Sequence, residues 1–179
     1  MRRYLPRELS LIFPFSRRRL LQAGFWPAAV ACSGILQAYA AEGSPLVLVT
    51  AAKTTLVNIS SGDLRQLFLG ETVRDGSNQK LLPLNQQAGT GERTLFDNRI
   101  LGMSQDEMAG YWIDQKVRGL KGPPRNLAPA QLIARVVVRF PGAVSYLRPE
   151  HVVQGLRMVR IDNVEPGATN YVLGAKARR

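Results

Sequence analysis

The residues with the clearest capacity for chemistry lie in one run, Leu81 to Phe96, which reads LLPLNQQAGTGERTLF. A short apolar strand leads into a loop carrying Gly89 and Gly91, and the first turns of a helix follow. That order aims several backbone N–H groups, and the positive end of the helix dipole, at one spot. Thr90 stands where a hydroxyl can cap the helix or face a ligand. Arg93, one turn in, can add a fixed positive charge. Gly89, Thr90, Gly91 and Arg93 together suit a small oxyanion such as phosphate. A capped strand-to-helix turn that holds nothing uses the same residue types.

Other chemistry has little support. His151, in Arg148-Pro149-Glu150-His151, is the sole histidine, and a lone loop histidine is more often plain surface than a general base. No serine sits in a Gly-x-Ser-x-Gly elbow. No Asp/Glu/His cluster has metal-ligand spacing, and Asp106-Glu107 is helix-start chemistry. The expectation is a protein that is not an enzyme and uses no metal and no cofactor.

The N-terminus reads as an export leader. Ser16-Arg17-Arg18-Arg19-Leu20-Leu21 opens a mostly apolar run to about Leu36. Gln37 and the small-residue site Ala38-Tyr39-Ala40 follow. The Ser-Arg-Arg-x-Leu-Leu order is similar to a twin-arginine signal. Residues 1–40 are therefore expected to be a signal peptide cleaved after Ala40, with a periplasmic product. Two alternatives stay open. Ala29-Val30-Ala31-Cys32 is a loose lipoprotein box that would anchor the chain at Cys32, and an uncleaved leader approaches the roughly 20 residues a bilayer needs. Cys32 is the only cysteine, so residues 41–179 cannot form a disulfide among themselves and need an ordinary apolar core.

The whole chain carries a formal charge of +11. Its leader accounts for +5 of this (Arg2, Arg3, Arg7, Arg17, Arg18 and Arg19 against Glu8), which leaves +6 on residues 41–179. That excess favours anionic ligands. Its scattered placement, without basic–aromatic interleaving, argues against nucleic acid.

Residues 41–179 have the length of one domain. Pro45–Thr50 reads as a buried strand. Ser60 with Asp63 caps a short helix carrying Leu64, Leu67 and Phe68, which Gly70 ends. Arg74-Asp75-Gly76-Ser77 is a turn, and a strand over about Lys80–Leu84 precedes the Gly-rich loop. The helix opening near Gly91 carries Leu95, Phe96, Ile100 and Leu101 and stops at Gly102. Ser104 and Glu107 form a capping box for a helix that buries Met108, Tyr111, Trp112 and Val117. A loop from Gly119 to Pro124 leads to a helix from Pro129 through Val138. Strands at Ala143–Leu147 and Leu156–Ile161 follow. Tyr146 is expected against the sheet with its hydroxyl at the rim, Tyr171–Leu173 reads as a weak pairing segment, and residues 174–179 as a basic tail. Alternating strands and helices imply a three-layer α/β sandwich with a mostly parallel sheet, whose ligands gather at the carboxyl ends of strands.

Leu64-Arg65-Gln66-Leu67-Phe68-Leu69-Gly70, Pro83-Leu84-Asn85-Gln86 and Gly91-x-Arg93-x-x-Phe96 occur in that order. Tyr111-Trp112, Gly122-Pro123-Pro124 and Phe140-Pro141-Gly142-Ala143-Val144-Ser145-Tyr146-Leu147 continue the series. This set resembles the short phosphate-transporter substrate-binding-like proteins, small relatives of the periplasmic phosphate-binding proteins, from about Leu46 to Ile161. The resemblance implies one lobe of a type II periplasmic-binding fold. It places Thr90, Gly91 and Arg93 on the family's Ser-Gly-Thr-like loop, and Lys53, Thr54 and Thr55 where a second set of contacts would come from. It also implies a small-oxyanion ligand and a membrane transporter or envelope protein as partner. The chain is about half the length of a two-lobed receptor, and a homodimer would supply a second lobe. Ser145 replaces a family Gly, the family's carboxylate is not evident before Gly89, and Glu92 stands in the first helical turn. These departures keep a second function open, an envelope interaction module with a decayed anion site.

Overall fold

The computed structural model describes residues 45–175. The expected leader, its cleavage site after Ala40, the Cys32 lipid site and residues 176–179 of the basic tail lie outside the described residues. Among the described residues no helix is long and apolar enough to cross a membrane.

Six strands form one sheet in the order β2-β6-β1-β5-β3-β4. They are β1 (Val47–Ala51), β2 (Asn58–Ile59), β3 (Leu82–Gln86), β4 (Arg125–Leu127), β5 (Ala143–Leu147) and β6 (Leu156–Ile161). The β2–β6, β3–β4 and β3–β5 pairs are parallel, whereas β1 runs against both β5 and β6. Five strands thus share one direction and β1 alone opposes them. The sheet is mostly parallel, as the sequence implies, with its reversal at the centre.

Every residue of β1 is buried, because helices cover both faces. Its alternating side chains feed two cores. Leu46 and Leu48 join Phe68, Phe96, Leu101, Met108 and Tyr146 on one face, and Val47 and Val49 join Ile133, Ala134, Val137 and Leu147 on the other. The first face carries α1 (Ser61–Phe68), α2 (Gly91–Phe96) and α3 (Gln105–Val117); the second carries α4 (Ala130–Arg139). Phe96 stacks on Tyr146 at 4.0 Å between ring centroids and tilts against Phe68 at 4.6 Å. Each such buried aromatic contributes about 1.5–3 kcal/mol and locks α1 and α2 onto β5.

Local chemistry sets the helix ends. Ser60 accepts the amide N–H of Asp63, Ser104 and Glu107 complete a reciprocal capping box, and Gly70 and Gly102 close their helices at positive φ. The helix from Gly91 differs from a regular run to Leu101: residues Asp97–Leu101 form a wider π turn.

Several expectations need correction. Val117 is 82% exposed and Tyr111 and Trp112 are only half-buried, since α3 buries Met108 alone. The loop after Pro124 contains the short strand β4. Tyr171–Leu173 forms no strand. Instead Leu46 N–H donates to Leu173 O at 2.8 Å, and the buried Tyr171 hydroxyl accepts from Leu48 N–H and donates to Val159 O. The Tyr146 hydroxyl is not at the rim; it is buried.

Candidate functional site

The Gly-rich loop leaves the carboxyl end of β3 and turns into α2. Gly89 sits at φ +83° with open space around its missing Cβ, so glycine is required there by backbone conformation and not by crowding. Thr90 is the N-cap. Its hydroxyl accepts from Arg93 N–H at 3.3 Å and donates to Gln87 O at 2.9 Å. The amides of Gly91 and Glu92, first in the helix, have no intrahelical acceptor.

Arg93 points inward. Its Nε donates to Asp97 Oδ2 at 2.6 Å, and its Nη1 lies 3.4 Å from both Gln86 O and Asn126 Oδ1. None of these bonds uses Nη2. Asp97, the i+4 residue, is buried with its Oδ1 unpartnered among the described residues. Burial raises the Asp97 carboxyl above the usual carboxylate range, and the hydrogen bond and charge of Arg93 pull it back. Glu92 faces the other way and pairs with Arg148.

A cavity of about 220 Å³ opens beside this pair, lined by Gly89, Arg93, Asp97, Met108, Trp112 and Asn126 among others. Trp112 Nε1 is buried without a partner among the described residues. Beneath the loop the Tyr146 hydroxyl donates to Asn85 Oδ1 at 2.6 Å and accepts from Gln86 N–H at 3.4 Å, and Gln86 Nε2 donates to Tyr146 O at 3.0 Å. Burial pushes the Tyr146 phenol far above its ordinary value, so it stays a neutral donor that fixes the end of β3. Neither Asp97 nor this Asn85–Tyr146–Gln86 network was anticipated from sequence. The Arg93/Asp97 spacing of four was the available signal for the first.

Thr54 and Thr55 are not brought to this loop. The register sets Thr50 opposite Val144, which lies beside Pro83 at the start of β3. Because β1 runs against its neighbours, the loop after Ala51 leaves the sheet at the end where β3 begins, whereas the Gly-rich loop leaves where β3 finishes. The threonine hydroxyls are engaged there: Thr54 Oγ1 donates to Ala51 O at 2.8 Å and Thr55 Oγ1 to Asp75 Oδ2 at 2.7 Å. Gly89, Thr90, Gly91 and Arg93 follow one another through a single turn; Gly89 and Arg93 line the cavity, and the Thr90 hydroxyl is engaged in the cap.

The described residues hold no group of three or more His, Cys, Asp or Glu side chains placed to bind a metal ion. What the arrangement can do chemically is offer main-chain donors and a guanidinium already paired with Asp97 to a small polar or anionic group.

No protein-family model matches the chain. Solved structures do match it. An ABC-type phosphate transport receptor from Vibrio cholerae shares 13% identity over 70% of this chain and 49% of its own, at a TM-score of 0.55. A substrate-binding protein with bound phosphate from Clostridium perfringens shares 14% identity over 70% and 48%, also at 0.55. PstS from Borrelia burgdorferi shares 15% over 69% and 49%, at 0.52. The chain therefore spans about half the length of these proteins, and its fold is the mixed α/β fold found in that half of a phosphate receptor.

Proposed function

We propose that the chain is an exported, one-lobe solute-binding-like module that holds phosphate or a similar small oxyanion at the loop Gly89-Thr90-Gly91 and the start of α2, in uptake or sensing. The carrying observation is the juxtaposition of that loop with the carboxyl end of β3 in a fold shared with phosphate receptors. The amides of Gly91 and Glu92 would hold the anion, with Arg93 behind them. Thr54 and Thr55 lie at the opposite end of the sheet, so a second set of contacts would come from another chain, either a second copy or a transporter or envelope partner. One lobe without a clamp, with Glu92 in the first turn and Arg93 already paired with Asp97, supports binding in the millimolar range, about −4 kcal/mol. Residues 1–40 are proposed as the export leader, cleaved after Ala40; the alternative is a lipoprotein anchored at Cys32. Residues 41–179 are proposed as one non-enzymatic domain.

The Arg93–Asp97 pair favours a second reading: the anion site has decayed and the module contacts an envelope protein. Calorimetric titration of the chain with phosphate and with sulfate separates the two. The first reading expects saturable heat that strengthens in Asp97→Asn, where no carboxylate opposes the Arg93 guanidinium. Flat titrations of both proteins to about 10 mM, far above the proposed constant, favour the second.

A further inference from the structure

On the α4 face, across the sheet from the Gly-rich loop, lies an apolar groove of about 280 Å³, lined by Leu82, Leu84, Leu127, Val136, Phe140 and the side chain of Arg125. Its rim is open: Phe140 is 56% exposed and Leu82 44%. Leu132, one turn before Val136 on α4, continues the apolar row outward and is also exposed. The groove ends at β4, the last strand of the sheet, whose outer edge pairs with no strand among the described residues. A free edge beside an apolar groove is the geometry that accepts an added strand. Main-chain hydrogen bonds then supply affinity, and alternate side chains enter the groove.

Charge defines the occupant. Between Asp114 and Glu150 the sequence has no acidic residue but carries Lys116, Arg118, Lys121, Arg125, Arg135, Arg139 and Arg148. Between Asp75 and Glu92, the stretch that contains β3, there is likewise none. Arg125 at the groove and Arg139 beside the apolar row of α4 belong to none of the ion pairs among the described residues. A second copy would bring the same arginines against these and be repelled. We propose that the groove and the free edge of β4 form a docking surface for an extended segment of a partner protein that presents apolar side chains and carboxylates together on one face, at every second residue. The segment would lie as a strand beside β4, its apolar side chains in the groove and its acidic ones toward Arg125 and Arg139. This surface is independent of the oxyanion reading.

The probe is a short fluorescent peptide with serine at every second position and valine and glutamate sharing the positions between, so that both lie on one face of the strand. Two companions accompany it, one with lysine for every glutamate and one with alternate backbone amides methylated. Anisotropy with the full chain is expected to show saturable binding of the first only, weakened about tenfold or more by Arg125→Glu and by Phe140→Asn and reduced by added salt. Both residues are exposed, so unchanged melting temperatures verify that the variants fold. Equal binding of the lysine or methylated peptide, indifference to both substitutions, or no binding at about 1 mM peptide would overturn the proposal. So would a concentration-dependent dimer of the chain that Phe140→Asn dissolves, since that assigns the groove to a second copy.

Discussion

Replacing Arg93 with methionine tests how the loop is held. The side chain is nearly the right length, so the main loss is the ion pair with Asp97, whose two side chains are 10% and 6% exposed. Removing one partner of such a pair strands the other charge and costs about 3–5 kcal/mol. Arg93 also gives up two long contacts, to Gln86 and Asn126. These add little, and about 3 kcal/mol is a fair expectation. At about 4 °C per kcal/mol for a domain of this size, the melting temperature should fall by about 12 °C near neutral pH. The loss should depend on pH. In the native protein burial raises the Asp97 pKa above its ordinary value of 3.8 while Arg93 lowers it. Without Arg93 only the upward influence remains. A carboxyl whose folded pKa exceeds its unfolded one binds its proton more tightly in the folded state. Its contribution to stability is therefore lost as pH rises from the unfolded value through the folded one. The Arg93→Met penalty should then be largest near neutrality and shrink as the pH falls below about 4, where the unfolded carboxyl also takes up its proton. Scanning calorimetry of both proteins across this range reads the effect directly. The double variant Arg93→Met/Asp97→Leu should recover most of the loss. A penalty of the same size at both ends of the pH range, or none near neutrality, would refute the buried, mutually dependent pair.

Four further outcomes follow from the same structure. Glu92→Gln removes a like charge from the first turn of α2 and should tighten phosphate about two- to fivefold by calorimetry, the equivalent of 0.3–1 kcal/mol. Gly142→Ala should destabilise by about 2 kcal/mol or more in denaturant melts, because φ is +84° and a Cβ would sit 2.6 Å from Lys80 O. Gly89→Ala, at φ +83° with open space around it, should lose only about 1–2 kcal/mol. Tyr146→Phe leaves Asn85 Oδ1 and Gln86 N–H without their hydroxyl partner and should cost about 1–3 kcal/mol in the same melts, while retaining the Phe96 stack.

Much of the fold is legible where sequence chemistry is local. Ser60/Asp63 and Ser104/Glu107 announce their helix starts, and Ala143–Leu147 and Leu156–Ile161 read as strands because their boundaries are marked by Gly142 and Gly155. Strand β4 is not legible, because three residues carry no periodicity and its pairing with β3 is settled by tertiary contact alone. The direction of β1 is equally silent: Pro45–Thr50 is apolar throughout and looks the same whichever way it runs. That one reversal separates Thr54 and Thr55 from the Gly-rich loop. Within the site, Thr90 is legible as a cap because capping acts over three residues. The spacing of four between Arg93 and Asp97 is legible, but the inward course of Arg93, whose Nη1 reaches Asn126 of the far edge strand, is encoded by no local pattern.

The central claim, an oxyanion held by the first amides of α2, is tested most directly by following backbone amide resonances of the isotope-labelled chain during a phosphate titration. Saturable shifts centred on Gly91, Glu92 and Arg93 are expected, with a constant on the order of 1 mM and little movement at Thr54 and Thr55. Shifts confined to exposed arginines and linear in phosphate, with the α2 amides unmoved, would contradict it.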